Sequence, residues 1–118
     1  MNETIKKLEE FGLSEKEARV YLASLELGEA TASDIAIKGN LPRTLVYDIL
    51  ERLIGQGLIS YSIKNNKKHF LAVHPKEFLT IIKDKETAIS SVMLELETIY
   101  KKEGTKRPTL LTRVEAAG

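Results

Sequence analysis

A chain of 118 residues, 42% hydrophobic and 30% charged, is sized for one compact core with an appended element and is too apolar for wholesale disorder. The lack of cysteine removes disulfides, thiolate metal sites and cysteine nucleophiles together, and His69 and His74 are the only imidazoles. A net charge of +1 gives no bulk electrostatic bias. No run approaches the about 18 apolar residues of a membrane span, and the acidic opening MNETIKKLEEFG lacks a signal peptide's apolar stretch, so no membrane partner and a cytoplasmic location are expected.

Residues 3 to 11 set Ile5, Leu8 and Phe11 at helical spacing, and Gly12 closes the helix. Ser14 with Glu17 forms a capping-box pattern, Leu13 is placed to staple onto Ala18, and the second helix runs through Val20, Tyr21, Leu22 and Leu25 to Gly28. Thr31 with Asp34 repeats the start signal before a short helix filled by Ile35, Ala36 and Ile37, which Gly39 and Asn40 stop. Pro42 suits the first position of the next helix, whose apolar stripe is Val46, Ile49, Leu50 and Leu53, ending at Gly55 and Gly57. Two helices across a tight glycine-containing turn make a helix-turn-helix unit.

The period then changes to two. Residues 58 to 63 and 69 to 73 are expected as strands, joined by the basic turn KNNKK. From Pro75 helix returns for almost thirty residues. Phe78, Ile82, Lys85, Ile89, Val92, Leu96 and Ile99 fall at alternating steps of four and three, a heptad seam broken at Lys85. At 1.5 Å per residue such a helix is near 40 Å long. It serves either as a dimer seam or as a helix folded back on its own domain, and its persistence favours a homodimer through Phe78, Ile82, Ile89, Val92, Leu96 and Ile99, as an antiparallel or coiled-coil element. Residues 104 to 118 lack a period and are expected as a tail. The expected organisation is a winged helix-turn-helix at 1–74, a dimerisation helix at 75–103 and that tail: a mainly α chain with one small β hairpin.

An α-helix fits the DNA major groove, where its N-terminal residues reach base edges while the preceding helix braces the backbone. By position the helix from Pro42 is the reader. Its core stripe leaves Arg43, Thr44 and Tyr47 at the exposed N-terminal end: Arg43 for a guanine edge or a phosphate, Thr44 for a phosphate or thymine methyl, Tyr47 for a phosphate. Asp48 and Glu51 repel phosphates, so only the first turn and a half is expected to approach DNA. Thr31, Ser33 and Lys38 are candidates for backbone contacts, although capping accounts for Thr31 equally well. Lys64, Asn65, Asn66, Lys67 and Lys68 make a cationic tip for phosphates or the minor groove; a solvated hairpin carries such a tip too, and the asparagines suit the turn by themselves.

No glycine-rich phosphate loop, serine elbow or spaced metal-ligand set is present, so neither an enzyme nor a cofactor or metal site is expected. The rival reading is a winged helix that serves as a protein-interaction module of the transcription machinery, without base readout.

Three segments carry a family resemblance: GLSEKEARVY at Gly12 to Tyr21, PRTLVYDILERL at Pro42 to Leu53, and QGLI at Gln56 to Ile59. With the wing and long helix that follow, residues 5 to 103 resemble the N-terminal DNA-binding domain of the TrmB-like transcription regulators, a group abundant in archaea. The resemblance implies a homodimer on a pseudo-palindromic double-stranded DNA site, with Arg43, Thr44 and Tyr47 in the reading surface and Lys64 to Lys68 in the wing. Larger members continue into a sugar-binding effector domain; this sequence ends soon after the long helix, and no small-molecule effector is expected from it.

Overall fold

The computed structural model describes residues 2–103, so the tail expected at 104–118 lies outside the described residues. In chain order the elements are α1 (Asn2–Phe11), α2 (Glu15–Leu27), α3 (Ala32–Gly39), α4 (Arg43–Gly55), β1 (Ile59–Lys64), β2 (Lys67–Ala72) and α5 (Glu77–Glu103).

Both capping boxes form. The Glu17 amide donates to Ser14 Oγ (3.1 Å) while the Ser14 amide donates to Glu17 Oε1 (2.8 Å), satisfying two donors that a helix start otherwise leaves open. Thr31 and Asp34 repeat the exchange at 3.2 and 3.5 Å. Asn40 ends α3 in the left-handed conformation at φ 55°, and the Leu41 amide reaches back to Ala36 O at 3.0 Å. Asparagine tolerates that conformation better than most residues, so the turn is built without glycine at its critical position. Pro42 then sits one position outside the helix, at φ −61° and ψ 140°, and Arg43 rather than Pro42 is the first helical residue.

The helices α1, α3 and α4 gather around α2. The core contains Leu13, Ala18, Val20, Tyr21, Ile35, Val46, Ile49, Leu50, Leu53, Leu58, Ile59 and Phe70, all less than 5% exposed. Removing such side chains from water supplies the main favourable term for folding. Ile37, expected inside, is 80% exposed: an eight-residue helix can turn one stripe inward, and Ile35 with Ala36 fills it.

The strands pair antiparallel from Ile59↔Ala72 to Lys64↔Lys67. The turn is shorter than expected. Only Asn65 and Asn66 connect the strands, both at positive φ (52° and 63°), the conformation a two-residue hairpin needs to match strand twist. Lys64, Lys67 and Lys68 are therefore strand residues. Ala30 adds a bridge that the sequence does not suggest, exchanging backbone hydrogen bonds with Phe70 (3.0 and 2.7 Å) and tying the wing to the segment before α3.

The first compact unit ends at Phe78. There Phe78 meets Phe11 and Tyr21 edge-on, with ring centres 4.8 and 5.1 Å apart, and the Tyr21 hydroxyl donates to Val73 O at 3.0 Å. Burial pushes the Tyr21 phenol pKa up. Phe78, expected in the dimer seam, thus packs within its own chain. The second unit begins at Leu79, and its described part is the remainder of α5, on which Ile82, Ile89, Val92, Leu96 and Ile99 are all exposed. Among the described residues no helix is long and apolar enough to cross a membrane.

Candidate nucleic-acid interface

The start of α3, the start of α4 and the wing converge on one groove. It encloses about 580 Å³ and is lined by Thr31, Ala32, Ser33, Asp34, Arg43, Tyr47, Asn66, Lys67 and Lys68. A second cleft of about 530 Å³ continues from Ser33 and Arg43 to Ala36, Ile37, Asn40 and Leu41, along the turn between α3 and α4. Val46, Ile49, Leu50 and Leu53 hold one face of α4 in the core, which leaves Arg43 and Tyr47 on the open face.

Arg43 is oriented by its own helix. Its guanidinium carbon lies 5.5 Å from the centre of the Tyr47 ring, and Nη2 donates to the Tyr47 hydroxyl at 3.4 Å. The α3–α4 turn that positions Arg43 is held from below: Arg19 Nη2 donates to Gly39 O (2.7 Å) and Asn40 O (3.1 Å), a cation at the carbonyl end of α3. Arg52 secures the other end of α4 to α2 through Glu17 Oε2 at 3.2 Å, so the Glu17 carboxylate both caps α2 and joins two helices.

The wing cations are less free than their sequence suggests. Lys64 Nζ lies 2.7 Å from Glu29 Oε2, and Lys68 Nζ lies 3.6 Å from Glu51 Oε2 and 4.5 Å from the centre of the Tyr61 ring. The hydrogen bond from Lys64 holds the Glu29 carboxyl below the usual glutamate pKa range. Among the described residues Lys67 forms no ion pair within 4.0 Å, and it lines the groove with Arg43 and Asp34.

Of the residues singled out from sequence, the groove brings together Thr31, Ser33, Arg43, Tyr47, Asn66, Lys67 and Lys68. Thr44 is exposed on the first turn of α4 but outside the groove lining, and Lys64 and Asn65 also lie outside it. Lys38 lines a different depression, with Ile5, Arg19, Leu22, Ala23, Glu26 and Gly39. Sequence reasoning missed Arg19, Glu29 and the apolar Ile37 and Leu41 of the second cleft. The i,i+4 spacing of Glu15 and Arg19 marks a helix surface pair, and nothing local marks the reach of Arg19 to Gly39. Among the described residues no group of acidic or imidazole side chains is arranged to hold a metal ion.

Residues 8–76 match the family model described as sugar-specific transcriptional regulator TrmB. The chain is 30% identical over 90 residues to the HTH-type sugar sensing transcriptional regulator TrmBL1 of Pyrococcus furiosus, covering 76% of this chain and 26% of that protein. Among solved structures it is similar to TrmBL2, described as an archaeal chromatin protein with a novel mode of DNA binding: TM-score 0.75 and 27% identity, covering 99% of this chain and 45% of the other. A MarR family transcriptional regulator from Silicibacter pomeroyi shares the fold at a TM-score of 0.54 and 21% identity, covering 99% of this chain and 76% of its own. The chain thus spans about a quarter of the curated relative it matches. Because the matched residues include α2, α3, α4 and both strands that build the groove, the chain belongs to the TrmB family of transcriptional regulators.

Proposed function

We propose that this chain reads double-stranded DNA sequence-specifically, as a homodimer on a pseudo-palindromic site, with the N-terminal turns of α4 in the major groove. The observation that carries the proposal is the groove in which Arg43, from the reading helix, and Lys67, from the wing, stand together, neither in an ion pair among the described residues, beside Thr31, Ser33 and the helix-capping Asp34. A guanidinium on the first helical turn suits a guanine edge, and an ammonium on a hairpin suits phosphate. Exposed Ile82, Ile89, Val92, Leu96 and Ile99 on α5 support self-association, since a heptad seam in water is stable only when covered. Thr44, Lys64, Asn65 and Lys38 take at most peripheral backbone contacts in this reading.

The pairing of Lys64 with Glu29 and of Lys68 with Glu51 favours one other reading, a winged helix that docks protein rather than DNA. Selection from a pool of random duplexes separates the two. A DNA reader enriches a motif with two inverted half-sites, whereas a docking module enriches none at any salt concentration.

A further inference from the structure

The cations of α4 and the hairpin fall into two groups. Arg52 faces Asp48 and Glu17 at 3.1 and 3.2 Å, Lys64 faces Glu29 at 2.7 Å, and Lys68 faces Glu51 at 3.6 Å. Arg43 and Lys67 form no ion pair within 4.0 Å among the described residues; both line the groove, where Asp34, whose Oδ2 accepts from the Thr31 amide, is the acid nearby. The two acids that hold wing lysines approach from different elements: Glu29 from the segment after α2, Glu51 from α4. Glu29 is far from Lys64 in sequence, so the pairing is a product of the tertiary fold, which the Ala30–Phe70 bridge fixes at the neighbouring residue.

A lysine in contact with phosphate contributes affinity to every sequence alike. One already paired with a carboxylate must exchange partners on binding, and benefits only by the difference. We propose that Glu29 and Glu51 are affinity-limiting residues: internal competitors of DNA phosphate that hold Lys64 and Lys68 back, so that binding depends on Arg43 and Lys67. The inference rests on the DNA-reading function proposed above. Its consequence is a shorter stay on DNA of any sequence, with discrimination between sequences left to Arg43. The acids act through the lysines, and the sign of their effect sets competition apart from support: a carboxylate that merely braced the wing would weaken DNA binding when removed.

The experiment uses the full chain, a random-sequence duplex and the duplex enriched from the random pool. Affinities are measured over a range of salt for the parent, Glu29→Gln, Glu51→Gln, and Glu29→Gln combined with Lys64→Ala. Each single variant is expected to bind both duplexes about two- to fivefold more tightly, the scale of an exposed ion pair. The logarithmic salt slope should steepen by up to about 0.9 for each further phosphate that a released lysine neutralises. The ratio of affinities for the two duplexes stays unchanged, and the Glu29→Gln improvement disappears when Lys64 is alanine. Unchanged or weaker binding by the single variants, with the parent binding normally, overturns the inference alone. An improvement that survives Lys64→Ala also overturns it, because the effect is then only that of net charge. Absence of binding by the parent and every variant overturns both the inference and the DNA-reading function.

Discussion

The Arg43 guanidinium lies against the ring of Tyr47 one turn further along α4, its carbon 5.5 Å from the ring centre and Nη2 3.4 Å from the hydroxyl. In the proposed DNA-reading function the pair restrains Arg43 before DNA arrives, which lowers the ordering cost of binding. Tyr47→Phe keeps the ring and removes the hydroxyl, whereas Tyr47→Ala removes both. Tyr47→Ala is expected to cost about 0.5–1 kcal/mol of discrimination between the selected duplex and one altered at a single base, the scale of an exposed cation–π contact. Tyr47→Phe should retain most of it. Tyr47 is 43% exposed, so neither variant should lower the melting temperature much; competition binding against the two duplexes makes the check.

Thr31 is suited by sequence either to cap α3 or to touch the DNA backbone, and in the fold its hydroxyl accepts from the Asp34 amide at 3.2 Å. Thr31→Ala should therefore lower folding stability by about 1 kcal/mol, and Thr31→Ser should recover most of the loss. Urea denaturation of the three proteins reads this directly. Equal stability of all three would mean that the cap contributes nothing.

The pairing of Glu29 with Lys64 has a pH signature. The Lys64 hydrogen bond lowers the folded-state pKa of Glu29 below its unfolded value, so its contribution to stability is present above the usual glutamate range and is lost as pH falls through the lowered folded value. A carboxyl-detected NMR titration should place Glu29 below the usual glutamate range, and Lys64→Ala should return it most of the way. A Glu29 titration insensitive to Lys64 would show that the pair does not persist in solution.

Ile89 and Val92 are both exposed on α5, three residues apart on the heptad seam. Ile89→Asp with Val92→Asp should convert the proposed dimer to monomer in sedimentation equilibrium while leaving the first compact unit folded. A dimer that persists would place the interface elsewhere.

Much of the fold is legible because local signals decide it. Ser14 with Glu17 and Thr31 with Asp34 announce their helices, and the spacing of Val46, Ile49, Leu50 and Leu53 shows which face of α4 is inward. The misreadings share a cause: position relative to the rest of the molecule outweighs residue type. Lys64, Lys67 and Lys68 look like a turn because they are charged, yet they extend the ladder, since strands projecting from the core face water on both sides. Ile37 looks like core but lies outside the inward stripe of α3, and Lys38, its neighbour, belongs to another surface. Most of the groove lining is visible in sequence, in Thr31, Ser33, Arg43, Tyr47, Asn66, Lys67 and Lys68. The acids that restrain the wing are not, because the pairings of Glu29 with Lys64 and Glu51 with Lys68 join segments distant in sequence.

The most direct measurement is the salt dependence of affinity for the selected and random duplexes, made on the parent, Arg43→Ala and Lys67→Ala. If Arg43 reads a base edge and Lys67 grips phosphate, Arg43→Ala brings the two affinities together, losing about 1–3 kcal/mol of preference. Lys67→Ala instead weakens both duplexes alike and flattens the salt slope by about 1. If Arg43→Ala leaves the preference intact, or Lys67→Ala leaves the slope unchanged, the groove they share is not the DNA-reading surface.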